Sequence, residues 1–156
     1  MERFKDIVTA TDMSSASLGV ISYASHLASA EGSQLTIVHV VPSASLTDYG
    51  ALDAEADLDL VDSELLEYAR STLESWADRH LKKTKVNVVV QHGVIDEVIC
   101  QVARELDADV LVVGTHERHG LDRIGIGSVA RRLMREAPCP VLVVKPPTEA
   151  TTGVGA

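Results

Sequence analysis

Aromatic residues are nearly missing from this chain: one Trp, one Phe and three Tyr make up 3% of 156 residues. Any core must therefore be aliphatic, packed from Val, Ile, Leu and Ala, which suits a sheet covered by helices. Cysteine is scarce too. Cys100 and Cys139 are too few and too far apart for a zinc site. Each stands among apolar neighbours, which predicts two buried free thiols. Positive charge is outweighed, with 14 Lys and Arg against 23 Asp and Glu and a net charge of −9. That balance argues against nonspecific nucleic-acid binding, which needs an excess of cations. No apolar run approaches the roughly 20 residues that cross a bilayer, so no membrane insertion is expected. The N-terminal MERFKDIV mixes acidic and basic residues and runs straight into a strand pattern, unlike a signal peptide. A cytoplasmic location is expected.

Catalytic signatures are also missing. There is no Gly-x-Ser-x-Gly elbow, no phosphate loop ending in Gly-Lys-Ser/Thr and no six-residue dinucleotide fingerprint. His116 and His119 lie three apart in a glycine-rich stretch, but no third metal ligand accompanies them. We expect no catalytic residues and no metal site. A small phosphatase or nucleotide hydrolase would need a nucleophile or base, and no residue here stands out as one.

What is present centres on Asp109–Val129, DVLVVGTHERHGLDRIGIGSV. Val110, Leu111, Val112 and Val113 form a short, wholly apolar run, as in a strand covered on both faces of a parallel sheet. Gly114 stops the run, a glycine-punctuated loop follows, and Ser128 stands where the next helix begins, a good N-cap position for serine. Strand, glycine loop and helix N-terminus together can hold an anion, because glycine admits close backbone approach and the helix end supplies unpaired N–H groups. The same pattern also fits an ordinary strand-to-helix turn whose glycines serve chain geometry alone.

The spacing resembles the nucleotide loop of the universal stress protein family (UspA-like): Gly, two residues, Gly, nine residues, Gly, then Ser or Thr. Gly114 matches the first glycine, and Gly127 with Ser128 matches the end of the motif. GTHERHGL compares with the family's GTHGRTGL, and APCPVLVV at Ala137–Val144 resembles its last strand. The resemblance runs from Phe4 to Lys145. It implies an adenine nucleotide, ATP or AMP, with Mg2+ accompanying only ATP, and at most slow ATP hydrolysis. Asp12 and Val40 would hold the adenosine, and Val113 would border the base. The backbone of Gly114, Gly127, Ser128 and Val129, with the Ser128 hydroxyl, would hold the phosphates, with His116 approaching them.

Two positions depart from the family pattern. Met13 stands where a glycine follows the aspartate, and Glu117 replaces the second motif glycine. If position 117 needs a positive φ, a side chain there costs roughly 1–2 kcal/mol. A carboxylate about 4 Å from a phosphate charge adds a few kcal/mol of repulsion at intermediate dielectric. Magnesium, Arg118, Arg123 or a protonated His116 or His119 would offset this, as would a loop that turns Glu117 to solvent.

Five strands are expected, at Phe4–Thr11, Leu35–Val41, Val86–Val90, Val110–Val113 and Val141–Val144. Helices are expected at Ser14–Ala30, Leu65–Leu81, from Asp96 as cap through Leu106, and at Ser128–Glu136. His39 interrupts its strand and reads as a hydrogen-bonded structural residue. Arg131, Arg132 and Arg135 read as the wet face of the last helix. The stretch Ser43–Ser63 reads as an acidic, solvated loop entering a helix, with its glycine misplaced for a calcium site. Right-handed crossovers make this a doubly wound α/β fold. The resemblance implies the parallel order 3-2-1-4-5. Residues 1–146 should form one domain, and 147–156 a disordered tail.

Two functional readings remain. The first is a nucleotide-responsive regulatory dimer of the stress response, joined through the apolar edge strand Val141–Val144. The second is a dimeric stress-related interaction protein that does not bind ATP because of Glu117. The sequence names no regulatory protein partner.

Overall fold

The computed structural model describes residues 2–42, 55–115 and 126–146, the side chains of 55–62 excepted. His116, Glu117 and the tail 147–156 lie outside the described residues. The elements are β1 (Asp6–Thr11), α1 (Ser15–Glu31), β2 (Gln34–Pro42), α2 (Glu55–His80), β3 (Lys85–Gly93), α3 (Ile95–Glu105), β4 (Val110–Gly114), α4 (Ser128–Glu136) and β5 (Val141–Val144). The five strands pair in parallel in the order β3-β2-β1-β4-β5. The chain reverses direction across the sheet between β1 and β4, the switch point at which such folds bind ligands.

Alternation along the strands builds two aliphatic layers. Ile7, Leu35, Ile37 and Val112 face α1 and α2, where Val20, Ile21, Ala24, Ala69 and Leu73 meet them. Val8, Val38, Val40, Leu111 and Val113 face α3 and α4, against Ile99, Val102, Ala130 and Leu133. Helix α1 has the expected signals. Ser14 is its N-cap and accepts from the Ser17 N–H at 3.2 Å. Gly32 closes it in the left-handed conformation, φ 73°.

Several boundaries differ from expectation. Helix α2 begins at Glu55, ten residues before the expected Leu65. Of the acidic residues that read as a loop, Glu55, Asp57, Asp59 and Asp62 belong to its first turns, where carboxylates complement the helix dipole, while Asp48 and Asp53 lie outside the described residues. Strand β1 starts at Asp6 rather than Phe4. Ahead of it, the Asp109 carboxylate accepts the N–H groups of Lys5 at 2.6 Å and Asp6 at 2.9 Å, while the Ser33 hydroxyl donates to the Phe4 carbonyl at 2.7 Å. Side chains here take over bonds that a longer ladder would have made. Strand β3 runs on to Gly93, opposite Pro42. Gly93 has φ +147°, and a Cβ there would stand 2.8 Å from Val98 Cγ2, so the turn into α3 requires glycine.

Asp96 does not cap α3. The N-cap is Val94, without a side-chain bond, and the buried Asp96 carboxylate meets Arg132 of α4 at 3.2 Å. Arg132 is therefore not simply part of a wet face, although its side chain is half exposed. Ser128 is likewise not the cap of α4 but its first residue, with Gly127 at the N-cap. Cys100 is buried as expected, whereas Cys139 is only half-buried, between Pro138 and Pro140.

The Asp109 contacts give a pH prediction. The Asp6 and Lys5 backbone N–H groups hold this carboxyl below the usual aspartate value of 3.8. A lowered folded value means the contribution is complete above 3.8 and is lost as pH falls through the folded value. Asp109→Asn keeps the shape but not the titration. It should lower neutral-pH stability by about 1 kcal/mol, given the exposure of the site. It should also flatten the acid limb when urea midpoints are compared from pH 7 to pH 3.

Candidate functional site

At the carboxyl ends of β1, β2 and β4 the sheet opens into a cavity of about 610 Å³. This is within the usual size range of small-molecule sites. Its walls explain its place. Thr11 at the end of β1 with Asp12 just beyond it, His39 to Pro42 at the end of β2, and Val113 and Gly114 at the end of β4 all line the space. Ile95 and Ile99 of α3 and Val129, Ala130 and Leu133 of α4 close one side, with Gly127 and Ser128 at the N-terminus of α4.

Seven of the eight sequence-predicted positions thus line one cavity: Asp12, Val40, Val113, Gly114, Gly127, Ser128 and Val129. They come from sequence positions more than a hundred residues apart. His116, the eighth, lies outside the described residues, as does Glu117.

The polar rim is ordered from within. Asp12 Oδ1 accepts the Ser14 N–H at 2.9 Å, which turns the chain from β1 into α1. Between them Met13 has φ 65°, the left-handed region, at a cost of roughly 1 kcal/mol for a side chain. This is where the family's usual glycine stood in the sequence comparison. Thr11 Oγ1 accepts the Met13 N–H at 2.9 Å and is 2.8 Å from Ser17 Oγ. These bonds hold Met13 in its strained conformation.

His39 is hydrogen-bonded, as its strand position suggested: Nδ1 donates to the Thr11 carbonyl at 2.8 Å. It also lines the cavity. Treating it as structural alone missed that second aspect. Thr11, Ser14, Ser17, Ile95, Ile99 and Leu133 were missed as well. The signal available for Thr11 was its place at the end of its strand beside the switch point, and His39 stands in register with it on β2. None was available for Ile95, Ile99 and Leu133, which read as ordinary helix-face residues.

Acidic character is low for both thiols: burial pushes Cys100 and Cys139 up, away from thiolate formation. Among the described residues no three His, Cys, Asp or Glu side chains gather into a metal-binding group. No helix among them is long and apolar enough to cross a membrane.

Fold and cavity together define a doubly wound α/β protein with a ligand-sized opening at the switch point of its sheet. The chain belongs to the universal stress protein family, whose sequence profile matches residues 3–145. Universal stress protein MJ0531 of Methanocaldococcus jannaschii is 32% identical over 151 residues, 92% of this chain and 84% of that protein. Universal stress protein A homolog 1 of Coxiella burnetii is 32% identical over 148 residues, 90% of this chain and 96% of that protein. Among solved structures, hypothetical protein MJ0577 matches with TM-score 0.79 at 22% identity, over 94% of this chain and 99% of that one. A universal stress protein in complex with cAMP matches with TM-score 0.63 at 23% identity, over 91% and 97% of the two chains. At these identities the structural likenesses carry the fold.

Proposed function

We propose that the chain is a nucleotide-responsive regulatory protein of the stress response, taking ATP or AMP in the switch-point cavity and working as a cytoplasmic homodimer. One observation carries this reading. The cavity is lined jointly by Asp12 and Val40 on the adenosine side and by Gly114, Gly127, Ser128 and Val129 on the phosphate side. Asp12, beside the cavity at the end of β1, accepts ribose hydroxyls through its carboxylate. Val40 and Val113 flank the base. The N-terminus of α4 faces the phosphates with its partial positive charge. Magnesium enters only with ATP. The structure of a universal stress protein with cAMP supports a nucleotide as the ligand class. The dimer reading is supported by β5 being an edge strand whose Leu142 is 45% exposed, an apolar edge open to pairing with a second copy.

A second reading is favoured by one residue. Glu117 replaces the motif glycine, and a dimeric interaction protein without ATP binding follows if its carboxylate faces the phosphates. Calorimetry with ATP and AMP, with and without magnesium, separates the two. Micromolar ATP binding supports the first reading. Binding of AMP alone locates the conflict at the outer phosphates, and binding of neither supports the second reading. Glu117→Gly should tighten ATP binding tenfold or more, about 1.4 kcal/mol, if the carboxylate repels phosphate. Unchanged affinity would mean that the side chain turns away.

A further inference from the structure

The two helices that close one side of the cavity are joined by a single ion pair. Asp96 is in the first turn of α3, its side chain only 8% exposed, and Arg132 Nη1 of α4 reaches its Oδ1 at 3.2 Å. The cavity-lining residues lie next to these two in each helix: Ile95 and Ile99 in α3, and Ser128, Val129 and Ala130 one turn before Arg132 in α4. Arg131 N–H donates to the Gly127 carbonyl at 3.0 Å, so the first turn of α4 is already helical where the glycine loop ends.

Helix α4 has a small fully buried face. It is nine residues long, lacks a side-chain N-cap and buries only Ala130 and Leu133. Its other ion pair, Arg135 with Glu136 at 3.7 Å, is exposed and within the helix, so it ties α4 to nothing else. Ala130, Leu133 and the partly buried Val129 fix the distance of this short helix from the sheet, but apolar contacts are non-directional and leave sliding along the axis and rotation about it weakly defined. A charged hydrogen bond to a buried carboxylate is directional and sets both. The carboxylate in turn is steadied by its place in the first turn of α3.

We infer that Asp96 is a positioning residue for the anion-facing end of the cavity: through Arg132 it sets where the N-terminus of α4 stands, and so the affinity for the ligand's phosphates but not for its nucleoside. This rests on the nucleotide reading of the cavity. Asp96 and Arg132 do not line the cavity. The effect passes entirely through the helix.

The test is a comparison of two ligands across a double-mutant cycle. Adenosine and ATP are titrated into wild type, Asp96→Asn, Arg132→Met and the double variant, with urea unfolding of each to confirm the fold. Each single change should weaken ATP about tenfold and leave adenosine within about twofold. The double variant should lose no more than the worse single, because both act through one contact. Arg132→Lys, which can restore one charged hydrogen bond, should recover part of the ATP affinity. Equal losses for adenosine and ATP would overturn the inference in favour of a general structural role. ATP affinity unchanged in all variants would overturn it too, while leaving the nucleotide reading intact. A wild-type chain that binds neither ligand would overturn the nucleotide reading itself and this inference with it.

Discussion

Ser128→Asp should weaken ATP binding about a hundredfold while leaving the protein as stable as before or slightly more so. The two effects arise from the same helix end. Ser128 is the first residue of α4, is exposed, and lines the cavity where the phosphates are proposed to lie. A carboxylate there interacts favourably with the positive end of the helix dipole, by about 0.3–1 kcal/mol. For a chain of this size that corresponds to a rise of about 1–3 °C in Tm. The same carboxylate, about 4–5 Å from a phosphate charge, costs roughly 3–4 kcal/mol at an effective dielectric near 20. Salt screens part of this, leaving about 2.7 kcal/mol, or a hundredfold in Kd. Calorimetry with ATP and adenosine, beside a thermal melt, reads both effects. Adenosine should bind as before. ATP affinity unchanged with a raised Tm would mean that the phosphates lie away from α4, and the phosphate side of the reading would fail.

How far the sequence could be read depended on whether the deciding contact was local. β4, α4 and β5 were readable nearly to the residue, because a wholly apolar run bounded by Gly114, a glycine followed by a helix pattern, and a proline-led final strand each leave a local signature. The sheet order came from the family resemblance rather than from periodicity. Asp96 was misread because it looks like a cap by every local rule. Its actual partner is 36 residues further on, in a helix whose approach only the folded chain reveals. The start of α2 was misread for the opposite reason. Acidic residues before an apolar repeat look like a solvated loop, and they also suit a helix N-terminus. The site shows the same division. Gly114, Gly127 and Ser128 were legible from the spacing of the loop, and Asp12 from the family resemblance. The contribution of Thr11, whose hydroxyl accepts from Met13 and meets Ser17, was not, because it exists only once β1 and α1 are in place.

Leu133→Ala should destabilise the protein by about 3–4 kcal/mol, the largest stability effect we expect from a single substitution. Leu133 is fully buried and packs with Val8, Val38, Leu111 and Val113 beneath α4. Truncation removes the transfer free energy of its lost carbons and leaves a void, a combination that costs about 2–5 kcal/mol in comparable cores. Three features set the expected size. Helix α4 has only one other fully packed side chain, Ala130, so little remains to hold it. The layer below is mostly β-branched, with Val8, Val38 and Val113 on three different strands beside Leu111, and it cannot collapse into the space without disturbing the sheet. Leu133 also lines the cavity, so the void opens into a space that already exists and water can enter it. This last feature tempers the dry-cavity penalty and keeps the estimate below the upper end of the range. Urea unfolding at constant slope should show the lowered midpoint. Leu133→Met, nearly equal in volume, should cost less than about 1.5 kcal/mol. Equal, small losses for both variants would mean that α4 is held chiefly by its polar contacts. The Asp96–Arg132 pair would then carry the stability of the helix as well as its position.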